Sequence, residues 1–336
     1  MDRAPAPGAV ASPRRIRALG LLSGGLDSAL AVALLLEQGL EVIGLHFESP
    51  VAAPAGVDAL AAELGIPLLV RDRGEAFLEL LRSPRWGYGR NANPCVDCRI
   101  LSLRLAGEVM REIGADFLFT GEVPGQRPMS QLAHQIRLIE RQSGLTGLVL
   151  RPLSAKRLPE SEPERRGWVD RTRLLAIHGR SRRVQLAEAA RRGIVHHEAP
   201  GGGCRLTDPG YARRVRDLLA HSPGGFDARE LELLAVGRHF RCRPDLKIVV
   251  GRNAAENERL AAWADGRHWL IEPLDHAGPS ALICGRRDEA ALELAATLIV
   301  RHTRAGWSAG PLRWRTDAGI WTRPDGFAPP PMPAAL

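Results

Sequence analysis

Strand and helix patterns alternate along residues 16–120, and this alternation restricts the fold more than any other feature of the sequence. The short apolar runs RALGLL, EVIGLHF, PLLVRD and DFLFTG predict strands, and the segments between them have helical spacing. Alternation of this kind produces a parallel sheet with helices on both faces. We therefore predict an α/β fold, in which ligands gather beyond the carboxyl ends of the strands.

The sequence predicts two domains between two disordered tails. The tails are residues 1–15 and the proline-rich residues 323–336. Residues 16–222 are predicted to form the α/β domain, with a helix at Arg183–Arg192 in a largely irregular second half. After the break HSPGGFD, residues 230–315 are predicted to form a small α+β domain, with strands LKIVVG, HWLIEP and SALICG and helices at Ala254–Ala264 and Glu289–Val300.

The charge of the chain favours a polyanionic partner. Its 336 residues carry a net charge of +8, almost all of the basic residues being arginine. The longest apolar stretch near the start, Ala29–Leu36, is far shorter than the roughly 20 residues of a membrane span, so we expect no membrane partner. Five cysteines, an odd number, argue against a disulfide framework and favour a cytoplasmic protein.

A glycine-rich junction, SGGLDS at residues 23–28, follows the first predicted strand and opens a helix. Gly24 and Gly25 allow backbone N–H groups to approach an anion at a helix N-terminus, and Ser23 and Ser28 offer hydroxyl donors. Asp27 would repel phosphate unless a cation lay between them, so Mg²⁺ is implied. The segment has neither the lysine of a Walker loop nor the glycine spacing of a dinucleotide loop. The simpler alternative is a capped strand-to-helix turn.

This junction resembles the PP-loop of the ATP pyrophosphatases, and TGEVPGQRPMSQ with LRPLSAK further on resembles the catalytic half of tRNA 4-thiouridine synthases. The resemblance spans residues 18–194 and implies an adenine nucleotide alpha hydrolase-like fold, which binds ATP and transfers AMP to a substrate oxygen. It implies roles for two groups of residues. The nucleotide would be bordered by Phe47, Thr120 and Gly121, and the uracil by Gln126, Ser130 and Gln131. Arg127 or Lys156 would stabilise charge on the adenylated carbonyl of the substrate.

Two family features are not matched: the RNA-binding extension ahead of the PP-loop, and the sulfur-relay domain. The cysteines offer another way to deliver sulfur in place of the sulfur-relay domain. Cys95 and Cys98 form C-x-x-C, and Cys204 follows a glycine run, an arrangement that resembles PP-loop tRNA thiolases holding a [4Fe-4S] cluster by three thiolates. Zinc, with His196 or His197 as a fourth ligand, and persulfide chemistry at Cys98 and Cys204 remain alternatives. Cys242 and Cys284 are expected in the core.

The last hundred residues resemble the small RNA-binding domain of the NFACT ribosome-quality-control proteins, through GRNAAEN and its surroundings. Arg238, Arg241, Arg243 and Arg252 are predicted to contact RNA phosphates, and His239 or Trp263 to stack on bases. A dimerisation or lid domain with a solvated basic face is the alternative.

Together these features predict an ATP-dependent tRNA sulfurtransferase. Its partners would be tRNA or another structured RNA, together with sulfide or a sulfur donor protein. An amide-forming ligase that uses the same adenylation, and a non-catalytic RNA-binding or ribosome-associated factor, remain the competing functions.

Overall fold

The protein was analysed as a computed structural model, which describes residues 15–52, 56–197, 203–274, 277–303, 311–314, 320–321 and 333–336. The chain divides into two compact units. The first contains the described residues up to Gly87 together with Pro94–Gly203. The second contains Tyr88–Asn93 and the residues from Cys204 onward. The division lies at Gly203, whereas the sequence analysis ended the α/β domain at residue 222.

The first unit is built from five strands and seven α-helices in its described part. In chain order they are β1 Arg17–Leu21, α1 Leu26–Leu36, β2 Glu41–Glu48, α2 Val57–Leu64, β3 Leu68–Asp72, α3 Gly74–Arg82, α4 Cys95–Glu112, β4 Phe117–Thr120, α5 Ala133–Ser143, β5 Val149–Leu150, α6 Glu162–Arg165 and α7 Arg183–Arg192. The strands form one parallel sheet in the order β3-β2-β1-β4-β5. The α/β prediction is confirmed.

Helices cover both faces of this sheet because its buried strand residues point alternately to the two sides. Ala18 packs with Val32 and Leu35 of α1, whereas its neighbour Leu19 packs with Ile100 of α4 and further residues of that helix. Helix α7 packs on the outer side of α1 through Ala189. The carboxyl ends of all five strands therefore meet at one edge, beside the N-termini of the helices.

The second unit contains a six-stranded antiparallel sheet in the order β11-β10-β8-β9-β7-β6. Its elements are α8 Pro209–His221, α9 Ala228–Leu233, β6 Arg238–Arg243, β7 Leu246–Val250, α10 Ala254–Ala261, β8 His268–Pro273, β9 Ala281–Gly285, α11 Glu289–His302, β10 Leu312–Trp314 and β11 Ile320–Trp321. Helix α11 packs on one face, and α9 with α10 on the other. No helix in the described residues is long and apolar enough to cross a membrane.

Several further helices are present that were not predicted. Among them, helices α5 and α8 lie in the segment that was predicted to be largely irregular, and α3 and α9 lie in segments for which no element was predicted. Helix α4 begins at Cys95, so the whole C-x-x-C lies within its first turn. Of the predicted tails, residues 1–14 and 323–332 lie outside the described residues. Residues 333–336 are described, and Ala335 forms a bridge with Phe240 of β6.

Candidate active site

The glycine-rich junction forms the turn between β1 and α1. Gly24 has a φ of +75°, a backbone conformation that favours glycine, and Gly25 is the extended N-cap of α1. The Ser28 hydroxyl donates to the Gly25 carbonyl at 2.8 Å, which closes the turn. Ser23 is exposed. The turn thus presents N–H groups at a helix N-terminus, as anion binding requires.

Asp27, in the first turn of α1, is held by groups from distant parts of the chain. Its Oδ2 accepts a hydrogen bond from Gln126 Nε2 at 2.7 Å, and Arg182 Nη2 lies 3.8 Å from the same oxygen. Its Oδ1 is buried and has no hydrogen-bond partner among the described residues. A buried carboxylate oxygen without a partner is suited to a hard cation such as Mg²⁺. The sequence analysis missed Arg182, although a helix start in GRSRR could have indicated it.

Gly121 allows the β4 loop to approach α1 closely. A Cβ atom there would lie 2.4 Å from the backbone carbon and oxygen of Asp27, so no other residue fits without moving the loop. The preceding Thr120 is buried at the end of β4. Both residues therefore lie directly beside the nucleotide-binding turn that the sequence predicts.

Glu122, which the sequence analysis left without a role, fixes this loop through buried charge. It is 2% exposed and lies 2.8 Å from Arg99 Nε of α4 and 3.1 Å from the buried Arg151 Nε. Burial opposes ionisation of the carboxyl group, but the two guanidinium groups together outweigh burial and hold the pKa of Glu122 below its usual value. The network joins the cysteine-bearing helix α4 to the loop that follows β4.

The segment from Val123 to Gln131 folds back on itself. Gly125 N donates to the Gln131 carbonyl at 2.7 Å, and Gln131 N donates to the Arg127 carbonyl at 3.3 Å. Gln131 and Ser130 are buried, and the side-chain oxygens of Gln126 and Gln131 are buried without hydrogen-bond partners in the described chain. Unpartnered carboxamide oxygens at a sheet edge are suited to accept hydrogen bonds from the N–H groups of a nucleobase.

Cys95 and Cys98 occupy the first and fourth positions of α4, so both side chains lie on the same side of its first turn, and both are half-buried. Arg73, which follows β3, donates from Nη1 to Cys98 Sγ at 3.0 Å and stacks over Phe77 at 4.2 Å. A guanidinium and a helix N-terminus both favour negative charge at sulfur. Asp97 between the cysteines accepts hydrogen bonds from the backbone N–H groups of Arg85 and Trp86, which anchors the neighbouring turn.

The remaining predicted residues are more dispersed. Phe47 is partly buried against the α4 side of the sheet, and Arg127 is exposed. Lys156 is exposed and donates from Nζ to the Thr172 carbonyl at 2.7 Å. His196 Nδ1 lies 3.0 Å from Glu63. Cys204 is exposed in the second unit. Within the described residues, no group of three or more His, Cys, Asp or Glu side chains is arranged to hold a metal ion.

The arginines predicted to contact RNA from the antiparallel sheet are mostly paired with carboxylates. Arg241 makes two hydrogen bonds to Asp217 at 2.9 and 2.7 Å. Arg243 pairs with Asp288 at 3.0 Å, and Arg252 Nε with Glu256 at 2.9 Å.

The prediction that His239 or Trp263 stacks on bases was wrong. These side chains are only 1% and 9% exposed, because both pack into the core of the second unit. His239 Nε2 bonds to the Val236 carbonyl at 2.8 Å. Cys242 and Cys284 are partly buried against the same sheet, and burial raises the pKa of each thiol to about 11, so both stay protonated.

Two family models match separate parts of the chain. Residues 15–157 match the family described as thiamine biosynthesis protein (ThiI), and residues 237–309 match the NFACT protein RNA binding domain. The chain is therefore similar to two different families over two separate segments, each of which covers less than half of it.

Curated relatives and solved structures resemble parts of the chain. The tRNA-specific 2-thiouridylase MnmA of Pelobacter propionicus is 40% identical over 111 residues, which cover 30% of this chain and 31% of that protein. The same enzyme of Geobacter metallireducens is 36% identical over 129 residues, 32% of this chain and 35% of that protein. The chain thus spans about a third of the length of these relatives. A crystal structure of a 4-thiouridine synthetase–RNA complex with bound ATP shows 21% identity and a TM-score of 0.34, covering 64% of this chain and 53% of that one.

Proposed function

We propose that this protein is an ATP-dependent tRNA sulfurtransferase, which adenylates a uridine carbonyl oxygen and replaces it with sulfur. The ThiI-type PP-loop domain supports the use of ATP, and the named activity of the MnmA relatives supports thiolation of tRNA. The NFACT-type domain supports an RNA partner. The proposal fits a cytoplasmic setting, where thiols stay reduced.

The observation that carries the proposal is the continuity between the PP-loop and the C-x-x-C at one edge of the parallel sheet. Gly121 packs directly on Asp27, and its neighbour Glu122 pairs with Arg99, the residue after Cys98. A nucleotide held at the turn would therefore be adjacent to a loop that is fixed to the cysteine-bearing helix. An adenylation site that also delivers sulfur needs this proximity.

The chemistry follows from the groups at this edge. The uridine carbonyl oxygen attacks the α-phosphorus of ATP, the bond to the β-phosphate oxygen breaks, and pyrophosphate leaves. Backbone N–H groups of the turn and the Arg182 guanidinium stabilise the negative charge that develops on the pyrophosphate. Hydrosulfide then adds to the activated carbon, and the C–O bond breaks with AMP as the leaving group.

Asp27 is the group in this site that would hold Mg²⁺, since its Oδ1 is buried and unpartnered in the described chain. Bound there, Mg²⁺ would neutralise phosphate charge during pyrophosphate departure. Gln126, which donates to the other oxygen, keeps the carboxylate in place.

Sulfur delivery is assigned to Cys95, Cys98 and Cys204. Cys95 and Cys98 share the first turn of α4, and Arg73 donates to Cys98 Sγ, an arrangement that fits half of a metal–sulfur site. The part of Cys204 rests on the sequence pattern. A [4Fe-4S] cluster held by the three thiolates would present an open iron for sulfide, and zinc or a persulfide pair remain the competing states.

The experiment is an anaerobic assay of the whole protein with a tRNA transcript, ATP, Mg²⁺ and sulfide, in which pyrophosphate release and thionucleosides are measured. Asp27→Asn should lower pyrophosphate release by about 100-fold or more, the size expected when a group that stabilises charge in the transition state is lost. Asp58→Asn, an exposed carboxylate in the first turn of α2, is the matched control and should retain full activity. Undiminished pyrophosphate release by Asp27→Asn would refute the proposal.

The same assay separates the cysteine roles. Cys95→Ala, Cys98→Ala and Cys204→Ala should each abolish thiolation, whereas Cys242→Ala and Cys284→Ala should not. Iron and acid-labile sulfide in the anaerobic protein would identify the cluster, and stoichiometric zinc would identify a structural site. Full activity of all three cysteine variants with ammonia in place of sulfide would instead establish an amide-forming ligase.

A further inference from the structure

An arginine-rich surface lies outside the residues that match the RNA-binding family, on helix α8. Arg213 and Arg216 are exposed and lie three residues apart, so both project from the same side of α8. Neither has an ion pair or side-chain hydrogen bond within the described residues. Two adjacent unneutralised guanidinium groups produce a local positive field that attracts polyanions.

The segment Tyr88–Asn93 packs beside α8 and extends this surface. Asn91 Nδ2 donates to the Thr207 carbonyl at 2.6 Å, just before α8 begins. Tyr88 is 40% exposed. Partial burial raises the pKa of its phenol, and the nearby Arg216 guanidinium opposes this rise. Arg90 of the same segment is exposed. An exposed aromatic ring therefore lies among arginines.

Arg205 adds a further cation at the N-terminal end of α8. It opens the short 3₁₀ helix Arg205–Thr207, and both Arg205 and Cys204 lie near Tyr211, a buried residue of α8. The acidic residue at this end, Asp208, caps α8 by accepting from the Tyr211 N–H at 2.6 Å. Asp217 is on the buried side of the helix with Arg241.

We propose that this surface, which we call the α8 surface and define as Tyr88, Arg90, Arg205, Arg213 and Arg216, binds the phosphate backbone of the RNA substrate. Guanidinium groups bind phosphate oxygens, and an exposed tyrosine can stack on an unpaired base. The proposal rests on the proposed function for the identity of the RNA. RNA bound at the α8 surface would pass beside Cys204. The arginines of the antiparallel sheet are paired with carboxylates and contribute little net positive potential.

The test compares two double variants that remove equal charge from exposed helices of the same unit. Arg213→Gln/Arg216→Gln alters the α8 surface. Arg259→Gln/Arg301→Gln is the matched control, on α10 and α11 within the part of the chain that matches the RNA-binding family. Binding of a fluorescent tRNA transcript to the whole protein is measured between about 50 and 200 mM salt, since released counterions make phosphate contacts salt-dependent.

The α8 variant should bind tRNA about tenfold more weakly, and the slope of log affinity against log salt should fall by about one for each phosphate that is no longer neutralised. The control should stay within about twofold of the unaltered protein. Equal losses in the two variants, or a larger loss in the control, would overturn the proposal. Competition by polyglutamate as strong as that by polyuridylate of equal charge would also overturn it, because the surface would then be suited to an acidic protein.

Activity separates this proposal from the proposed function. If the α8 variant raises the KM for tRNA and leaves kcat unchanged, both stand. If the protein binds tRNA through the α8 surface but forms no thionucleoside with any tRNA, the surface stands and the sulfurtransferase assignment fails. Thiolation with an unchanged KM in the α8 variant would leave the enzyme established and refute the surface.

Discussion

The parallel sheet of the first unit and the antiparallel sheet of the second are both covered by helices on two faces, and they differ in where polar groups remain unpartnered. In the parallel sheet the strands end at one edge, and there Asp27, Gln126 and Gln131 keep buried oxygens without partners in the described residues. In the second unit the buried atoms without partners in the described residues are nitrogens, such as His239 Nδ1 and Trp263 Nε1. Its arginines Arg241, Arg243 and Arg252 are each paired with a carboxylate.

The buried oxygens without partners belong to the candidate active site, whereas the paired arginines belong to the structural framework of the second unit. A buried polar atom that lacks a partner destabilises the folded protein. Such an atom is retained where a ligand supplies the missing hydrogen bond or ion. A paired arginine already has its partner and is less available to phosphate. The comparison supports the proposed nucleotide site at the edge of the parallel sheet and the proposed RNA-binding surface on α8.

The largest expected effect concerns Glu122, the buried carboxylate of the first unit. Glu122→Gln leaves Arg99 without its counter-charge and Arg151 with Glu140 as its remaining carboxylate partner. Removal of one partner from a buried pair costs about 3–5 kcal/mol. We expect the free energy of unfolding of the first unit to fall by about that amount, measured by urea denaturation. A loss below about 1 kcal/mol would show that the network is solvated and that the two units do not differ in this way.

The pH dependence of the two units should also differ, since His239 titrates in the second. Burial, followed by the charges of Lys247 and Arg214, holds the pKa of His239 well below 6.5. In the unfolded chain His239 binds a proton near pH 6.5, whereas in the folded unit it stays neutral at that pH. The free energy of unfolding therefore has its full value above pH 6.5 and decreases as the pH is lowered through it. The pKa of Glu122 is lowered from 4.5, so its contribution is lost only below about pH 4.5.

The urea midpoint of the second unit should therefore fall between pH 7.5 and 5.5 while that of the first stays constant. His239→Gln keeps a hydrogen-bond donor for Val236 and removes the titration, so the drop should shrink in this variant. An unchanged drop would assign the pH dependence to other groups, such as the half-buried His268, whose pKa burial also lowers.

The smallest effect is expected at an exposed pair in the second unit. Arg267, whose side chain is 58% exposed, lies 3.5 Å from both Asp265 and Asp227. Exposed pairs are screened by water and salt, so Arg267→Gln should shift the urea midpoint of the second unit by no more than the measurement error. A larger loss in denaturant unfolding would mean that paired surface arginines stabilise this unit as strongly as the buried network stabilises the first.

Local patterns were enough to predict four of the five strands of the first unit and the alternation of strands with helices. The runs that became β1, β2, β3 and β4 alternate with helical spacing, and α7 was predicted with the bounds that it has, because periodicity depends on neighbouring residues. The PP-loop was also predictable, since its glycines and its helix start are contiguous. Helix α5 was not predicted because it follows the motif TGEVPGQRPMSQ directly, within a segment that was predicted to be largely irregular.

The sequence by itself thus determined the α/β fold, the position of the PP-loop and the placement of Cys95 and Cys98 at a helix start. Only the tertiary structure decided which polar groups meet. Asp27 and Gln126 are 99 positions apart in the chain, and Arg73 and Cys98 are 25 apart. It also decided that His239 is buried and that Arg241 is paired with Asp217. Such contacts depend on how separate elements pack, and no local spacing encodes them.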